Sequence, residues 1–232
     1  MRKNILITGE PRSGKSTILD NIIANYPDKT GFLAKEICKN GQRSGFQLIS
    51  SNGKIAILAD KDINSNHKVS KYYVDLESFD SFLFDLPKPS KESLLYLDEI
   101  GQMQLFSDKF REIVFKFLDS PNTCIATITS VFENDFINTI KSRDDVIIVK
   151  ITPENRSDQF QFIRALTRKI EKAKNYLQNR KRFNFINDKH VVLHSVHGAR
   201  ELTFVEGEWQ CTCDFFKDYR ICSHVIAIES ID

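Results

Sequence analysis

The chain has 232 residues, with 33 Lys+Arg against 31 Asp+Glu, giving a formal net charge of +2. With 41% hydrophobic and 28% charged residues it has ordinary globular composition, which excludes collagen-like, mucin-like and wholly disordered chains. No apolar run approaches the ~18–20 residues of a membrane span. At roughly 150 residues per domain, the length allows one large domain, or a domain plus a small module. Met1-Arg2-Lys3 followed by Asn4–Thr8 is basic then apolar, like a signal peptide, but the apolar part is too short and a glycine loop follows it. A cytoplasmic location is expected. Five cysteines fit that expectation: Cys38 and Cys124 stand alone in apolar, strand-like settings, where buried reduced thiols are expected, while Cys211, Cys213 and Cys222 crowd together near His224.

Up to about Ile151 strands and helices alternate. Asn4–Thr8 reads as a buried strand and residues 13–25 as a helix. Residues 31–58 form short alternating runs (32–37, 46–49, 55–58) broken by Asn40-Gly41 and Asn52-Gly53, the signature of an antiparallel hairpin insertion. Residues 63–70 are polar and read as loop. Helical spacing resumes over 76–86 and stops at Pro87-Lys88-Pro89. A fully apolar strand, 94–97, ends in Asp98-Glu99. Residues 107–118 carry a helical stripe of Phe110, Ile113, Val114, Phe117 and Leu118. Residues 124–128 and 146–151 read as buried strands around a helix near 133–141. Such alternation implies an α/β fold with a parallel sheet covered on both faces.

Beyond residue 153 the texture changes. Residues 155–182 read as one long helix with Phe160, Ile163, Leu166, Ile170, Ala173 and Leu177 on its apolar stripe. Arg164, Arg168, Lys169, Lys172, Lys174, Arg180, Lys181 and Arg182 make it strongly basic against Asp158 and Glu171. Two short strands (190–194 and 202–205), the Cys/His cluster and a final short helix follow. The expected organisation is an α/β domain over 1–153, a basic linker helix over 154–182 and a small β-β-α module built around the Cys/His cluster over 183–232.

Gly9-Glu10-Pro11-Arg12-Ser13-Gly14-Lys15-Ser16-Thr17 fits G-x-x-x-x-G-K-[ST], between a strand and a helix. Backbone N–H groups of such a loop turn inward around phosphates, and the helix N-terminus faces the anion. Lys15 is expected to reach the β- and γ-phosphates and Ser16 to ligate magnesium. Asp98, at the carboxyl end of a buried strand, is expected to hold the same magnesium. Glu99 is expected to polarise an attacking water, a role that leans toward hydrolysis.

Cys211-Thr212-Cys213, eight residues, then Cys222-Ser223-His224 is C-x-C-x8-C-x-H. Three thiolates and one imidazole are a full tetrahedral zinc set. His190, His194 and His197 lie on a strand pattern and read as solvent-side residues. Clustered Lys and Arg on the preceding helix fit a phosphate backbone, as they fit a solvated helical face. No aromatic stacking platform for single strands is evident in the sequence.

Over its first two-thirds the chain resembles the THEP-type nucleoside-triphosphatases. The residues that carry the likeness are Ile7–Thr17, Gly31-Phe32 with Glu36, and Gly41–Phe46. Lys71-Tyr72 with Val74, Leu97–Phe106 and Ile151–Arg156 complete it. The resemblance implies a RecA-like three-layer P-loop sandwich, magnesium dependence, slow hydrolysis and tolerance for ATP, GTP, CTP and UTP. The family usually has glycine where this chain has Arg12. For transition-state charge the candidates are Arg43 and Arg156, which lie in the family-like segments, and Arg143, between a helix and a strand; Arg43 is the first choice, and an arginine donated by a neighbouring subunit is the other source. Trp209 to Ala227, with its C-x-C and C-x-H pairs, resembles a SWIM zinc finger, which implies DNA or protein contacts. The expected function is magnesium-dependent hydrolysis of nucleoside triphosphates to diphosphate and phosphate, with the zinc module binding a target for which nucleic acid is the leading candidate and a protein the other. A nucleotide-switched binding protein with slow turnover and a nucleoside or small-molecule kinase are the alternatives.

Overall fold

The computed structural model describes residues 1–196 and 198–231. The chain divides into two compact units, one of residues 4–160 and one of residues 1–3 with 161–232.

The first unit is built on a nine-stranded sheet. Its parallel part comprises β1 (Asn4–Thr8), β7 (Leu94–Ile100), β8 (Cys124–Ile128), β9 (Val146–Lys150) and the start of β2 (Lys29–Lys39). β2 pairs with β7 in parallel over Lys29–Phe32, then antiparallel with β3 (Gln42–Ser50) over Phe32–Lys39. One strand therefore serves both the parallel core and the hairpin insertion foreseen over residues 31–58. The hairpin side continues through β4 (Ile55–Asp60), β5 (Lys68–Val69) and β6 (Tyr72–Val74), giving the order β5-β6-β4-β3-β2-β7-β8-β1-β9. The two-residue β5 falls in the segment read as loop.

Strand alternation separates two apolar faces. Leu6, Leu95, Leu97, Cys124, Ala126 and Ile128 join one buried cluster with helices α2 (Leu76–Phe84), α3 (Asp108–Asp119) and α4 (Asp135–Lys141). Its centre is aromatic: Phe32 meets Phe79, Phe82 and Phe110 with ring centroids 5.8–6.3 Å apart. Ile5, Ile7, Tyr96 and Ile125 are buried outside that cluster, as are Ile18, Leu19, Ile22 and Ile23 of α1 (Lys15–Ile23), which packs against β7 and β8. The mixed α/β architecture matches the expected P-loop sandwich with a hairpin insertion. Ser107 caps α3 through a bond from Phe110 N, and Asn134 caps α4 through one from Ile137 N.

The second unit contains most of α5 (Arg156–Gln178), shorter than the expected 155–182 because residues 180–182 form a 3-10 turn. A separate four-stranded antiparallel sheet follows: β10 (Phe183–Asn187), β11 (His190–Ser195), β12 (Gly198–Val205) and β13 (Glu208–Cys211). The first and last of these were not foreseen, since only Phe183 is buried in β10 and β13 spans four residues. Two short helices, α6 (Asp214–Tyr219) and α7 (Ser223–Ile228), complete it, so the expected β-β-α module is a four-stranded sheet with two helices. Cys124 is buried as expected; Cys38 is exposed, because β2 extends beyond the core where it pairs with the hairpin. Among the described residues no helix is long and apolar enough to cross a membrane.

Candidate active site and candidate metal centre

The carboxyl ends of β1, β7, β8 and β9 converge on the loop Gly9–Ser13, the position where ligands gather in open α/β sheets. Ile151 N donates to Thr8 O at 2.7 Å and Ser130 Oγ to Gly9 O at 2.9 Å, pinning the loop from β9 and β8. The tight path needs glycine at both ends. A Cβ on Gly9 (φ 150°) would lie 2.3 Å from Ile151 O, and one on Gly14 (φ 100°) 2.7 Å from Arg156 Cδ. Arg12 also adopts a left-handed backbone at φ 68°, a conformation that favours glycine.

Ser16, in the first turn of α1, donates from Oγ to Asp98 Oδ1 at 2.9 Å; Thr127 Oγ1 donates to the same oxygen at 2.8 Å and Ala34 N to Oδ2 at 3.3 Å. Asp98 is fully buried. Burial pushes its pKa up, while the Thr127 and Ser16 hydroxyls work in the other direction. Lys15 Nζ donates to the carbonyls of Gly9 (2.7 Å) and Glu10 (2.9 Å). Desolvation lowers its pKa, opposed by the Glu99 and Asp98 carboxylates.

Strict alternation would send Glu99 to the opposite face from Asp98. The register between β7 and β8 prevents this: Leu97 faces Ala126 but Ile100 faces Ile128, so β7 holds one extra residue. Glu99 takes φ 128° at this bulge, a strained value for a residue with a Cβ. Its side chain reaches a cleft of about 590 Å³ shared with Lys15, Ser16, Arg43 and Thr127. There Glu99 touches solvent, yet desolvation and then the Asp98 charge raise its pKa, with Lys15 and Arg43 pulling it down. Sequence reasoning named Glu99; the bulge that aims it carried no signal there.

Arg43 enters the cleft from the hairpin. A second bulge, between Ile37 and Cys38, sets its register on β3. Its guanidinium donates to Tyr72 Oη (2.8 Å) and Glu36 Oε1 (2.6 Å) and lies over the Phe46 and Tyr72 rings. Phe46 and Glu36 were not singled out as cleft residues. Arg143 sits elsewhere: it binds Asp119 (2.7 Å) and Asp145 (2.8 Å), and Asp145 also accepts from Asn4, which opens β1 at its amino end. It is a structural ion pair remote from the phosphate loop. Arg156 covers Gly14.

In the second unit, the ligand atoms of Cys211, Cys213, Cys222 and His224 lie within 4.8 Å of one another. Cys211 ends β13, Cys213 caps α6 and Cys222 caps α7. Backbone N–H groups donate to sulfur at Cys211 (from Cys213, 3.4 Å) and Cys222 (from Val225, 3.4 Å). His224 turns Nδ1 to the sulfurs of Cys211 (3.5 Å) and Cys222 (3.7 Å), and Nε2 to Tyr176 Oη at 3.5 Å. Hydrogen bonds from its two sister thiols hold the Cys213 pKa down; those contacts keep Cys211 and Cys222 protonated, Cys211 at about 11. Three crowded sulfurs and one inward imidazole fit a tetrahedral ion with metal–sulfur bonds of about 2.3 Å, and Tyr176 is placed to fix the ring's tautomer. His194 is exposed and His190 half-buried, neither in the cluster; His197 lies outside the described residues.

The family model described as NTPase matches residues 4–164. The chain belongs to the THEP1 nucleoside-triphosphatase family. It is 38% identical over 155 residues to the nucleoside-triphosphatase THEP1 of Thermotoga sp. (strain RQ2), covering 66% of this chain and 88% of that one. The crystal structure of THEP1 from Aquifex aeolicus aligns with a TM-score of 0.60 and 29% identity, over 69% of this chain and 96% of that one. The solution structure of a human cancer-related nucleoside triphosphatase aligns at 0.59 and 27% identity, over 69% and 95%. A SWIM zinc finger model matches residues 199–230, outside the region shared with the THEP1 relatives. The enzyme is thus a nucleoside-triphosphatase carrying a C-terminal SWIM module.

Proposed function

We propose that this nucleoside-triphosphatase hydrolyses several triphosphates, ATP and GTP among them, in a magnesium-dependent reaction, and that its zinc module binds a nucleic-acid target. Residues 1–153 carry the chemistry, 154–182 form the basic connection and 183–232 the module. The observation that supports hydrolysis best is the pair of neighbouring carboxylates with separate tasks. Asp98 is buried against the Ser16 hydroxyl, and Glu99 is turned by the bulge into the open cleft.

A hydroxyl and a carboxylate 2.9 Å apart offer the hard oxygen donors that magnesium prefers, so Ser16 and Asp98 would hold the ion. When bound, magnesium supplies positive charge to the β- and γ-phosphate oxygens. Residues 9–17 wrap the phosphates with backbone N–H groups. Lys15, held by two carbonyls, is positioned to exchange those partners for phosphate oxygens. Glu99 accepts the proton of the attacking water at a carboxylate oxygen, and its raised pKa strengthens it as a base. Arg43, on the same cleft, neutralises charge on the transferring phosphoryl group, which requires it to release Glu36. Zinc would be held by Cys211, Cys213, Cys222 and His224 as a structural ion.

The test is phosphate release from ATP, GTP, CTP and UTP with magnesium or with EDTA, each with and without DNA or RNA. Release from more than one nucleotide, abolished by EDTA, is expected. Release indifferent to EDTA, or phosphate delivered to an acceptor hydroxyl in place of water, would refute the reading.

A further inference from the structure

The fold assembles an aromatic platform that the sequence leaves scattered. Phe162 on α5 stacks on Tyr219 of α6 at a centroid distance of 4.8 Å and 28°. Phe215 lies 4.7 Å from Tyr219 and 6.5 Å from Phe162, nearly parallel to the latter at 13°. Phe215 and Tyr219 share one face of α6 by their four-residue spacing, whereas Phe216 on the other side is buried. The three rings are not core: Tyr219 is 47% exposed, and Phe162 and Phe215 are half-buried.

Cations rim the platform. Lys169, two turns beyond Phe162 on the same face of α5, places its ammonium 4.8 Å from the Phe215 centroid. Further along, Lys172 and Arg182 lie 5.7 and 6.0 Å from the Tyr176 ring. Residues 161–182 carry eight Lys/Arg against one acidic residue, Glu171, while residues 183–232 carry four against eight. The electrostatic footprint is therefore α5 with the turn that follows it, and not the zinc cluster. On α6, Asp214 is paired with Lys217 at 3.0 Å and Asp218 is exposed, so an anionic backbone would follow α5 and leave α6 to the bases.

We propose that Phe162, Phe215 and Tyr219, with Lys169, form a binding surface for single-stranded nucleic acid, stacking unpaired bases while α5 tracks the phosphates. The proposal rests on nucleic acid being the module's target and narrows it to single strands. A duplex, with its base faces already stacked, offers the platform nothing beyond its phosphates.

The test uses the full zinc-loaded chain and fluorescence anisotropy. The probes are labelled oligothymidylate and oligouridylate of about twelve nucleotides, and a duplex of the same length. The wild type is expected to bind single strands more tightly than the duplex. Tyr219→Ala should weaken single-strand binding about 5- to 150-fold, the equivalent of about 1–3 kcal/mol for one lost stack, without changing duplex binding. Tyr219→Phe should retain it. Lys169→Ala should lower the dependence of log K on log salt by about 0.7. Unchanged zinc content and Trp209 emission verify the fold of each variant. Single-strand binding that survives Tyr219→Ala intact overturns the platform and leaves the nucleic-acid target standing. No binding to any of the probes overturns both.

Discussion

Stripping the metal from the Cys211–His224 cluster is expected to unfold the second unit while the first continues to hydrolyse nucleotide. A structural zinc site contributes about 10–16 kcal/mol at neutral pH. A core of fewer than about 80 residues rarely supplies more than about 3–5 kcal/mol. The core here is small: among the described residues Ile163, Leu166, Ile170, Ala173, Val191, Leu193, Leu202, Ile226 and Ala227 are its fully buried aliphatic residues. The metal term therefore exceeds what packing alone provides, and removing it leaves three crowded thiols of which only Cys213 favours the thiolate. The chain has a single tryptophan, Trp209, on β13 two residues before Cys211, with its ring 5.5 Å from Phe204. Its emission reports this unit alone. Titration with a zinc chelator should shift Trp209 emission to the red while phosphate release persists, and Cys222→Ser should reproduce that state. Native Trp209 emission in protein shown by elemental analysis to hold no zinc would refute the argument.

Arg43→Ala should lower kcat by about 10³ or more, the scale of a transition-state arginine, with KM little changed. Arg43→Lys should not restore it, because the planar fork that meets Tyr72 and Glu36 is lost. The pH profile of kcat/KM should rise through a pKa above the ordinary 4.5 of glutamate, since Glu99 must be ionised to act and its pKa is raised. In Arg43→Ala that limb should move to still higher pH, because a cation that favours the charged form is gone. For stability the sign is opposite. Asp98 and Glu99 both have raised pKa values when folded, so the nucleotide-free protein binds more protons than the unfolded chain and should gain stability as pH falls from neutral through those values. Thermal melts across that range check it. Arg12→Gly exchanges a left-handed strain of about 1–2 kcal/mol for a glycine entropy loss of about 0.5–1 kcal/mol. The melting temperature should hold or rise by up to about 6 °C, and a fall would contradict the assignment of strain.

Much of this architecture was legible because the residues that carry it are adjacent in sequence. The phosphate loop lies between an apolar strand and a helix, Asp98-Glu99 ends a wholly apolar run, and four metal-type ligands fall within fourteen residues. What escaped depends on partners remote in sequence. The bulge at Glu99 exists only in the pairing of β7 with β8. Arg43 was placed by likeness, but its hold by Glu36 and Tyr72 depends on hairpin register and on β6. Arg143 stood behind Arg43 as a candidate, and nothing in the sequence showed its carboxylate partners at the amino end of β1. β10 shows almost no alternation because nearly all of it is exposed. The aromatic platform joins Phe162 to two rings on a helix too short to show a period.

The central claim is that Glu99 activates water in a cleft whose phosphate-binding parts do not depend on it. Measuring single-turnover phosphate release together with nucleotide affinity for Glu99→Gln tests it most directly. The account predicts a fall of about 10²–10⁴ in rate with nucleotide affinity unchanged. A rate within a few-fold of wild type would contradict it and move the base elsewhere in the cleft.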